Sequence, residues 1–345
     1  MDQDERSIVV IGASAGGIQA LLAVIAELPD TCTAAFFVVV HVGAGRSMLP
    51  TLLTRAGPLT ATHATDGEPI RPGHIYVAPS DYHMLVREDR VELSHGPKEN
   101  HSRPAVDPLF RSAARAHGRR VTGVILSGAL SDGAAGLVMI KHCGGKVIVQ
   151  DPADAIVGGM PQSALRLVDA DYVLSANDIG RLLATGRDHS QEIGEDRDMD
   201  RIDEPEHLIR KDFAEQEQDR RAGQLTMYTC PDCGGTLWQA DAGPLLRFQC
   251  HVGHAWGPEV LLGLNSDELE AALWSSVRLL EERATLTRQV AVRMREAGEG
   301  SSRTAMVQEQ AVLDERRAGT LREMLSASLG VASQVVLRDE VGTFG

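Results

Sequence analysis

Basic residues are the minority charge in this sequence: 34 Lys and Arg stand against 48 Asp and Glu, for a formal net charge of −14. This balance argues against a general attraction to nucleic-acid phosphates. Long apolar runs are absent too, since none approaches the roughly 18 residues that cross a bilayer. The first residues, MDQDERSIVVIG, are acidic before they are apolar, whereas a secretory signal opens with basic residues. We therefore expect a cytoplasmic protein that binds no nucleic acid and inserts into no membrane.

Cysteine is also scarce, with five residues in a chain of 345. They are Cys32, Cys143, Cys230, Cys233 and Cys250. Their number and uneven spacing argue against a disulfide framework, and the last three cluster late in the chain, which predicts a metal site. With 43% hydrophobic and 24% charged residues the chain can bury a sizeable core, and its length is typical of about two domains.

Residues 7 to about 185 alternate β-branched runs with Ala- and Leu-rich helical stretches. The β-branched runs are SIVVIG, AAFFVVVHV, VTGVILSG, KVIVQD and YVL. This alternation predicts an α/β fold, with a doubly wound parallel sheet and helices on both faces. Two alternating runs, HMLVRE and RVELSH, meet across Asp89 and predict a short antiparallel hairpin within or beside the sheet.

Composition divides the chain into four parts. We expect the α/β domain at 1–186, an acidic linker at 187–224, a zinc-ribbon-like module at 225–262 and a helical hairpin at 263–337. Apolar residues spaced by three and four follow Ser266, which resembles a helix N-cap. A Gly-Ser break then separates this helix from a second one, from about Arg303 to Leu329.

Ser14 lies in Gly-Ala-Ser-Ala-Gly, between the first predicted strand and the first helix. Small neighbours allow the strained turn of a nucleophile elbow, in which the serine hydroxyl is presented close to helix N-terminal amides. Glycine-rich strand-to-helix turns also bind phosphates through the same amides. The pattern alone favours neither a nucleophile nor an anion-binding turn.

Two further polar residues follow predicted strands. His41 ends the second strand, and Asp132 lies in the loop after VTGVILSG. The carboxyl ends of parallel strands form one edge of a sheet, where sites of open α/β folds are found. A histidine at a strand end is more often structural, and Asp before Gly is an ordinary turn residue. Ser14, His41 and Asp132 together nevertheless match the residue types of a Ser-His-Asp site.

Five stretches in this half carry a specific resemblance: GASAGGIQAL, VVVHVGAG, HSRPAVDPLFRSAA, ILSGALSDGAAG and IVQDPADAIVGGMPQSAL. Covering nearly all of residues 7–180 in order, they resemble the catalytic domain of the bacterial chemotaxis protein-glutamate methylesterases, the CheB family. The resemblance implies a parallel α/β sheet with a short antiparallel hairpin, a hydrolase without a catalytic cofactor, and Ser14 as nucleophile, His41 as general base and Asp132 as its orienting carboxylate.

The resemblance also implies a substrate: glutamate γ-methyl esters on the cytoplasmic helices of chemoreceptors, with some related enzymes deamidating receptor glutamines. Amides near Ala15 and Ala129 are candidates for the oxyanion hole. Arg103 belongs to a family motif near the active face, where it either contacts substrate or serves, with Pro104 at the first turn, as a helix entry. In the same motif Asp107 is predicted near that helix N-terminus.

This sequence departs from the family in three respects. Ala15 stands where the family usually has a hydroxyl residue, and the loop 128–133 reads Gly-Ala-Leu-Ser-Asp-Gly where the family has Gly-Met-Gly-Asn-Asp-Gly. Only six residues precede the first strand, where the family carries a phosphorylated receiver domain. Control is therefore expected from the carboxyl half, from a signalling partner or not at all, and the alternative function is a catalytically weak signalling adaptor that uses the esterase fold for docking.

The carboxyl half carries a Cys-x-x-Cys turn, at Cys230 and Cys233, and about one hairpin later the stretch FQCHVGHAW. Two such turns joined by a strand pair supply the four ligands that zinc needs. We expect a structural zinc on Cys230, Cys233, Cys250 and His254, with His254 preferred because a residue adjacent to Cys250, such as His251, points away in an extended segment. The terminal helices are expected to pack on one another, with self-association into a homo-oligomer or docking on receptor helices as alternatives.

Overall fold

Residues 7–41, 47–185, 224–242, 245–298 and 301–338 are described by the structure, a computed structural model of the chain. Residues 187–223 of the predicted acidic linker and the Gly-rich loop after His41 lie outside these ranges. The chain forms two compact units, Met1–Leu261 and Leu262–Gly345. The Cys- and His-rich module therefore shares a unit with the α/β domain.

The centre of the first unit is a seven-stranded parallel sheet. The first nine strands of the chain are β1 (Ile8–Ala13), β2 (Ala35–Val40), β3 (Thr60–His63), β4 (His74–Val77), β5 (His83–Val86), β6 (Val91–Ser94), β7 (Val121–Ile125), β8 (Lys146–Gln150) and β9 (Tyr172–Leu174). The sheet has the order β3-β4-β2-β1-β7-β8-β9, while β5 and β6 pair with each other as an antiparallel hairpin. From β1 the strand order runs one way to β2, β4 and β3 and the other way to β7, β8 and β9, which confirms the doubly wound fold. The β5–β6 pairing confirms the predicted hairpin.

Within the described ranges, six α-helices cover the two faces of this sheet. They are α1 (Gly17–Ala26), α2 (Leu49–Ala56), α3 (Val106–His117), α4 (Ala134–His142), α5 (Gly159–Leu167) and α6 (Ala176–Ala184). Alternate residues of β1 enter two separate cores because successive strand side chains point to opposite faces. Ile8 and Val10 pack with α3, α4, α5 and the hairpin, whereas Val9 and Ile11 pack with α1, α2 and α6.

Two strands of the sheet, β3 and β4, were not predicted from the sequence. Each has four residues, and β3 reads Thr-Ala-Thr-His, so neither forms an extended β-branched run. They pair in parallel register beyond β2, with Phe37 opposite Tyr76 and Ala61 opposite Ile75. Their position in the sheet depends on these long-range pairings, which override a weak local preference.

The Cys- and His-rich module is a four-stranded antiparallel sheet, which we call the ribbon. Its strands are β10 (Gln224–Thr229), β11 (Thr236–Ala242), β12 (Leu245–Cys250) and β13 (Ala255–Trp256). They pair in sequence order, and the indole of Trp256 is fully buried. The two ligand-bearing turns lie at the β10–β11 and β12–β13 connections, as two short turns joined by a strand pair require.

Two long helices follow, α7 (Pro258–Glu296) and α8 (Ser301–Arg338). The predicted helix entry at Ser266 is wrong, because α7 begins at Pro258 and the Ser266 hydroxyl donates to the Leu262 carbonyl one turn earlier. Within the second unit Val277 and Leu325 are buried against each other's helix, and Arg283 pairs with Asp314. No helix in the described part of the chain is long and apolar enough to cross a membrane.

Candidate functional site

Ser14 and His41 lie side by side at the carboxyl edge of the sheet. Strand β1 ends at Ala13, which stands opposite Val40 at the end of β2 in parallel register. The His41 amide then donates to the Ala13 carbonyl at 3.1 Å. Neighbouring strands are about 4.8 Å apart, so the residues that follow Ala13 and Val40 are adjacent.

The turn at Ser14 requires two glycines. Gly16 has φ +72°, in the left-handed region that favours glycine, and a Cβ there would lie 2.6 Å from the Ile156 Cβ. Helix α1 begins at the next residue, Gly17, whose amide donates to the Ser14 carbonyl at 2.9 Å. The strand thus passes into the helix within a few residues, which places Ser14 on a tight turn beside the helix N-terminus.

The loop after β7 lies directly against this turn. The Ser14 amide donates to the Ser127 carbonyl at 2.9 Å, and the Ser127 hydroxyl donates to the Ala15 carbonyl at 2.8 Å. A Cβ on Gly128 would lie 2.9 Å from the Ser14 Cβ, so only glycine permits this approach. The predicted oxyanion residues, Ala15 and Ala129, therefore belong to two segments that meet at Ser14.

Asp132 is buried, and its carboxylate is held on both oxygens. His41 Nε2 lies 2.8 Å from Oδ2, which also accepts from the Val106 amide at 2.7 Å. Oδ1 accepts from the Asp107 amide at 3.2 Å and from Asn100 Nδ2 at 2.9 Å. Burial by itself would raise the pKa of Asp132, but the bond to His41 and these donors hold it below its usual value. Asp132 is thus an oriented, ionised partner for His41.

A second buried carboxyl group, Asp107, stands beside Asp132 in the first turn of α3. It accepts from the Gly136 amide at 2.7 Å and from Asn100 Nδ2 at 3.1 Å. Burial and the charge of Asp132 raise the pKa of Asp107 to about 6. The amide of Asn100 therefore lies between two carboxyl groups, an arrangement that the sequence did not indicate.

Arg103 is tied to the open end of the β5–β6 hairpin. Its guanidinium pairs with Asp81 at 2.7 Å and donates to the Gly96 carbonyl at 2.7 Å. Helix α3 begins at Val106, two residues beyond Pro104, so Pro104 is not in its first turn as predicted. The contacts of Arg103 hold the chain that leads into α3.

The structure brings the four predicted metal ligands together. One ligand atom from each of Cys230, Cys233, Cys250 and His254 lies within 4.8 Å of the others. His254 Nδ1 is 3.7 Å from Cys230 Sγ and 3.5 Å from Cys250 Sγ, and the Sγ atoms of Cys233 and Cys250 are 3.6 Å apart. Zinc–sulfur bonds of about 2.3 Å in a tetrahedron imply ligand separations of roughly 3.5 to 3.8 Å. The three separations between ligand atoms therefore match those of a tetrahedral zinc site, and the cluster could hold a metal ion, while His251 is exposed.

The ribbon and the α/β domain meet at Glu99. Its carboxylate is buried between two guanidinium groups, Arg111 from α3 at 2.7 Å and Arg247 from β12. Burial would raise the pKa of Glu99, but the two arginine charges lower it to about 2. One carboxylate thus links an element of the α/β domain to a strand of the ribbon.

Glu99→Gln is expected to destabilise the protein at pH 7 by about 3 kcal/mol, because it leaves two guanidinium groups without a counter-charge. Because the folded-state pKa of Glu99 lies below its ordinary 4.5, its contribution is present above pH 4.5 and is lost as the pH falls towards 2. Urea unfolding of both proteins across this range should show their stabilities converging.

Glu282→Gln is the matched control for this prediction. Glu282 forms an exposed pair with Arg278 one helical turn away, and such pairs contribute less than about 0.5 kcal/mol. A stability difference between wild type and Glu99→Gln that stays constant from pH 7 to pH 2 would contradict the assignment.

The first half of this chain is similar in sequence to known proteins. Residues 9–183 match the family model described as CheB methylesterase. A protein-glutamate methylesterase/protein-glutamine glutaminase 2 of Anaeromyxobacter dehalogenans is 42% identical over 177 residues, covering 51% of this chain and 52% of that protein. A putative protein-glutamate methylesterase/protein-glutamine glutaminase of Leptospira interrogans is 40% identical over 176 residues, covering 50% of this chain and 91% of that protein.

A solved structure matches the same half. The crystal structure of the Thermotoga maritima CheB methylesterase catalytic domain is 37% identical, with a TM-score of 0.51, and the match covers 52% of this chain and 97% of that one. The chain spans about half the length of the Anaeromyxobacter relative and nearly all of the Leptospira one.

Proposed function

Because the chain belongs to the CheB methylesterase family, we propose that it hydrolyses glutamate γ-methyl esters on the cytoplasmic helices of chemoreceptors. The observation that carries the proposal is the bond of His41 to the buried Asp132 at the sheet edge where Ser14 stands. The relatives from Anaeromyxobacter and Leptospira bear the name protein-glutamate methylesterase.

The first half of the reaction follows from the roles of these three residues. In this reaction His41 carries its proton on Nε2 and donates a hydrogen bond from it to the Asp132 carboxylate, so that Nδ1 is free to take the Ser14 proton. The Ser14 oxygen attacks the ester carbonyl, and the tetrahedral intermediate carries its negative charge on the former carbonyl oxygen. Methanol leaves with the proton held by His41, and the glutamyl group remains bonded to Ser14.

Water completes the cycle. His41 takes a proton from a water molecule, which attacks the glutamyl–Ser14 ester, and returns that proton to the Ser14 oxygen as the bond breaks. The released product is a glutamate carboxylate. The amides of Ala15 and Ala129 are the donors that we assign to the oxyanion, since their segments meet at Ser14.

The same residues also support deamidation of receptor glutamines. Both relatives carry the second name protein-glutamine glutaminase. Ammonia would leave in place of methanol with the same His41 proton, and the glutamyl–Ser14 intermediate would be identical. The two reactions differ only in the leaving group.

The test is release of methanol from a methylated receptor cytoplasmic fragment by the full chain, with ammonia release from the corresponding glutamine fragment measured in parallel. Methanol release in proportion to enzyme supports the esterase. Ammonia without methanol would reassign the protein as a deamidase. Binding of the fragment with neither product would favour the adaptor function.

We further propose that the ribbon holds one structural zinc ion through Cys230, Cys233, Cys250 and His254. Four protein ligands leave no open coordination position for water, and a sheet of this size gains folding free energy from the metal. The ion would hold the two turns together and take no part in the chemistry at Ser14.

Metal analysis of purified protein should find about one zinc per chain in the wild type. Replacing an exposed ligand, as in Cys233→Ser, is expected to reduce zinc content to less than about half at matched free zinc. Cys143→Ser removes a half-buried thiol outside the ribbon and serves as the control. Equal zinc content in Cys233→Ser and the control would refute this ligand set.

A further inference from the structure

The ribbon is joined to the α/β domain along one short stretch of backbone, which we call the seam: residues 97–100 and 253–257. The Asn100 amide donates to the Ala255 carbonyl at 2.8 Å, and the Ala255 amide donates to the Lys98 carbonyl at 3.3 Å. Gly253, with φ +106°, packs so closely on Pro97 that a Cβ there would lie 2.8 Å from the proline ring. The seam therefore begins directly beside the ligand His254.

Asn100 connects the seam to the triad through its side chain. Its Oδ1 accepts from the Gly257 amide of the ribbon at 2.9 Å. Its Nδ2 donates to Asp132 at 2.9 Å and to Asp107 at 3.1 Å. A backbone N–H requires an acceptor and the two carboxylates require a donor, so these partners determine which way the amide faces. The Gly257 amide of the ribbon thus sets the orientation of the Asn100 side-chain amide, which in turn donates to Asp132.

The position of Gly257 depends in turn on the metal ligands. His254 lies three residues before Gly257, and its carbonyl accepts from the Cys250 amide at 3.0 Å. When a metal binds His254 and Cys250, it fixes the chain that leads through β13 to Gly257. Without the metal, the small ribbon loses the constraint that keeps Gly257 against Asn100.

We propose that Asn100 is a positioning residue through which the metal-bound ribbon holds the Asp132 carboxylate against His41, so that loading of the metal sets the activity of the triad. This inference rests on the proposed esterase function and on the proposed zinc ligands. The ion acts at the ribbon only, and the link to the triad consists of Gly257, Asn100 and Asp132.

The first test needs no substrate. Amide hydrogen exchange is followed by NMR on the full chain with zinc bound and after removal of zinc by a soluble chelator. The amides of Val106 and Asp107, which donate to Asp132, should exchange at least about tenfold faster without zinc, while the β1 amide of Ile11 is unchanged. Faster exchange confined to residues 224–256, or no change at all, would overturn the proposal.

A pair of variants at Gly257 tests the same link with zinc bound. Gly257→Pro removes the N–H that Asn100 accepts from. Gly257→Ala keeps that N–H, and its Cβ would lie 3.3 Å from the Ser131 hydroxyl, 3.6 Å from Asn100 Oδ1 and 3.8 Å from Glu259 Oε2, so its nearest neighbours are side-chain atoms and not backbone. Faster exchange at Val106 and Asp107 is expected in the proline variant and not in the alanine variant. Equal exchange in the two variants would overturn the proposal even if chelation unfolds the whole unit.

The kinetic test uses Asn100→Ala with Asn177→Ala, an exposed helical asparagine, as control. Asn100→Ala should lower kcat about 10- to 100-fold with KM within about twofold, because the lost hydrogen bond acts on Asp132 and touches no substrate. Removal of zinc should then cause no additional loss in this variant. Additive losses would overturn the link through Asn100. Because exchange is measured without substrate, an inactive esterase would be distinguished from a failed coupling.

Discussion

Ser14→Ala will lower kcat for methanol release by at least about 10⁴-fold, while the variant keeps its fold. Alanine removes only the attacking oxygen, and the hydrogen bonds that shape the turn are made by the Ser14 backbone, not by its side chain. The residual rate measures what the oxyanion donors and substrate binding contribute without a covalent intermediate. Initial rates with the methylated receptor fragment check this expectation.

Ser276→Ala is the matched control, since Ser276 is an exposed serine on α7 whose hydroxyl bonds only within its own helix. Its kcat should equal that of the wild type. If Ser14→Ala releases methanol at a rate within tenfold of the wild type, Ser14 is not the nucleophile and the anion-binding interpretation of the turn returns.

Asp132→Asn is expected to lower kcat by about 10⁴-fold. The carboxylate accepts four hydrogen bonds from donors that include His41 Nε2 and the Val106 amide. An asparagine NH2 group has the wrong polarity at either position: in place of Oδ2 it faces His41 Nε2 and the Val106 amide, and in place of Oδ1 it faces the Asp107 amide and Asn100 Nδ2. We expect the NH2 group at the Oδ2 position, where it donates to His41 Nε2. This fixes the opposite His41 tautomer, with a proton on Nδ1, which cannot accept the proton of Ser14.

Asp89→Asn serves as its control, because Asp89 is an exposed residue of the hairpin turn. The tautomer of His41 is observed directly by nitrogen chemical shifts, which should change in Asp132→Asn and remain those of the wild type in Asp89→Asn. A normal His41 tautomer combined with full activity in Asp132→Asn would show that Asp132 does not orient the base.

Local sequence was sufficient to single out the three candidate triad residues because each follows a strand, while their roles came from the resemblance to the CheB family. Ser14, His41 and Asp132 follow β1, β2 and β7, and those three strands are neighbours in the sheet. Glycine spacing and polarity at the strand ends are local properties, so they are visible in the sequence. The adjacency of the strands was an expectation from fold rules, and the pairing registers establish it.

The residues that support Asp132 could not be found in this way. Asn100 is a polar residue in a loop and carries no periodicity, and Asp107 reads as an ordinary residue of a helix N-terminus. Their roles arise because the start of α3 lies beside the loop that follows β7. This brings the buried carboxyl groups of Asp107 and Asp132 to the side-chain amide of Asn100. Because Asn100 and Asp132 are 32 positions apart in the sequence, no local pattern predicts this contact.

The start of α7 is a further feature that the local sequence pattern does not predict and the tertiary structure decides. The periodicity of α7 is visible in the sequence, but the pattern predicts its start at Ser266 because a serine before an apolar stripe is typical of an N-cap. The chain instead begins the helix at Pro258, directly after the ribbon. A proline at a helix start is equally typical. The helix starts at Pro258 and not at Ser266 because β13 ends at Trp256, two residues before the proline.

The sequence by itself determined the alternation of strands and helices, the three strand-end residues and the four Cys and His residues proposed as metal ligands, because each depends on spacing along a few consecutive residues. Only the tertiary structure decided that the ribbon packs on the α/β domain, with Glu99 between Arg111 and Arg247 and with Asn100 against Asp132. Those contacts join residues that are 12, 32 and 148 positions apart in the sequence. They depend on burial and charge compensation in three dimensions, which no pattern in one dimension encodes.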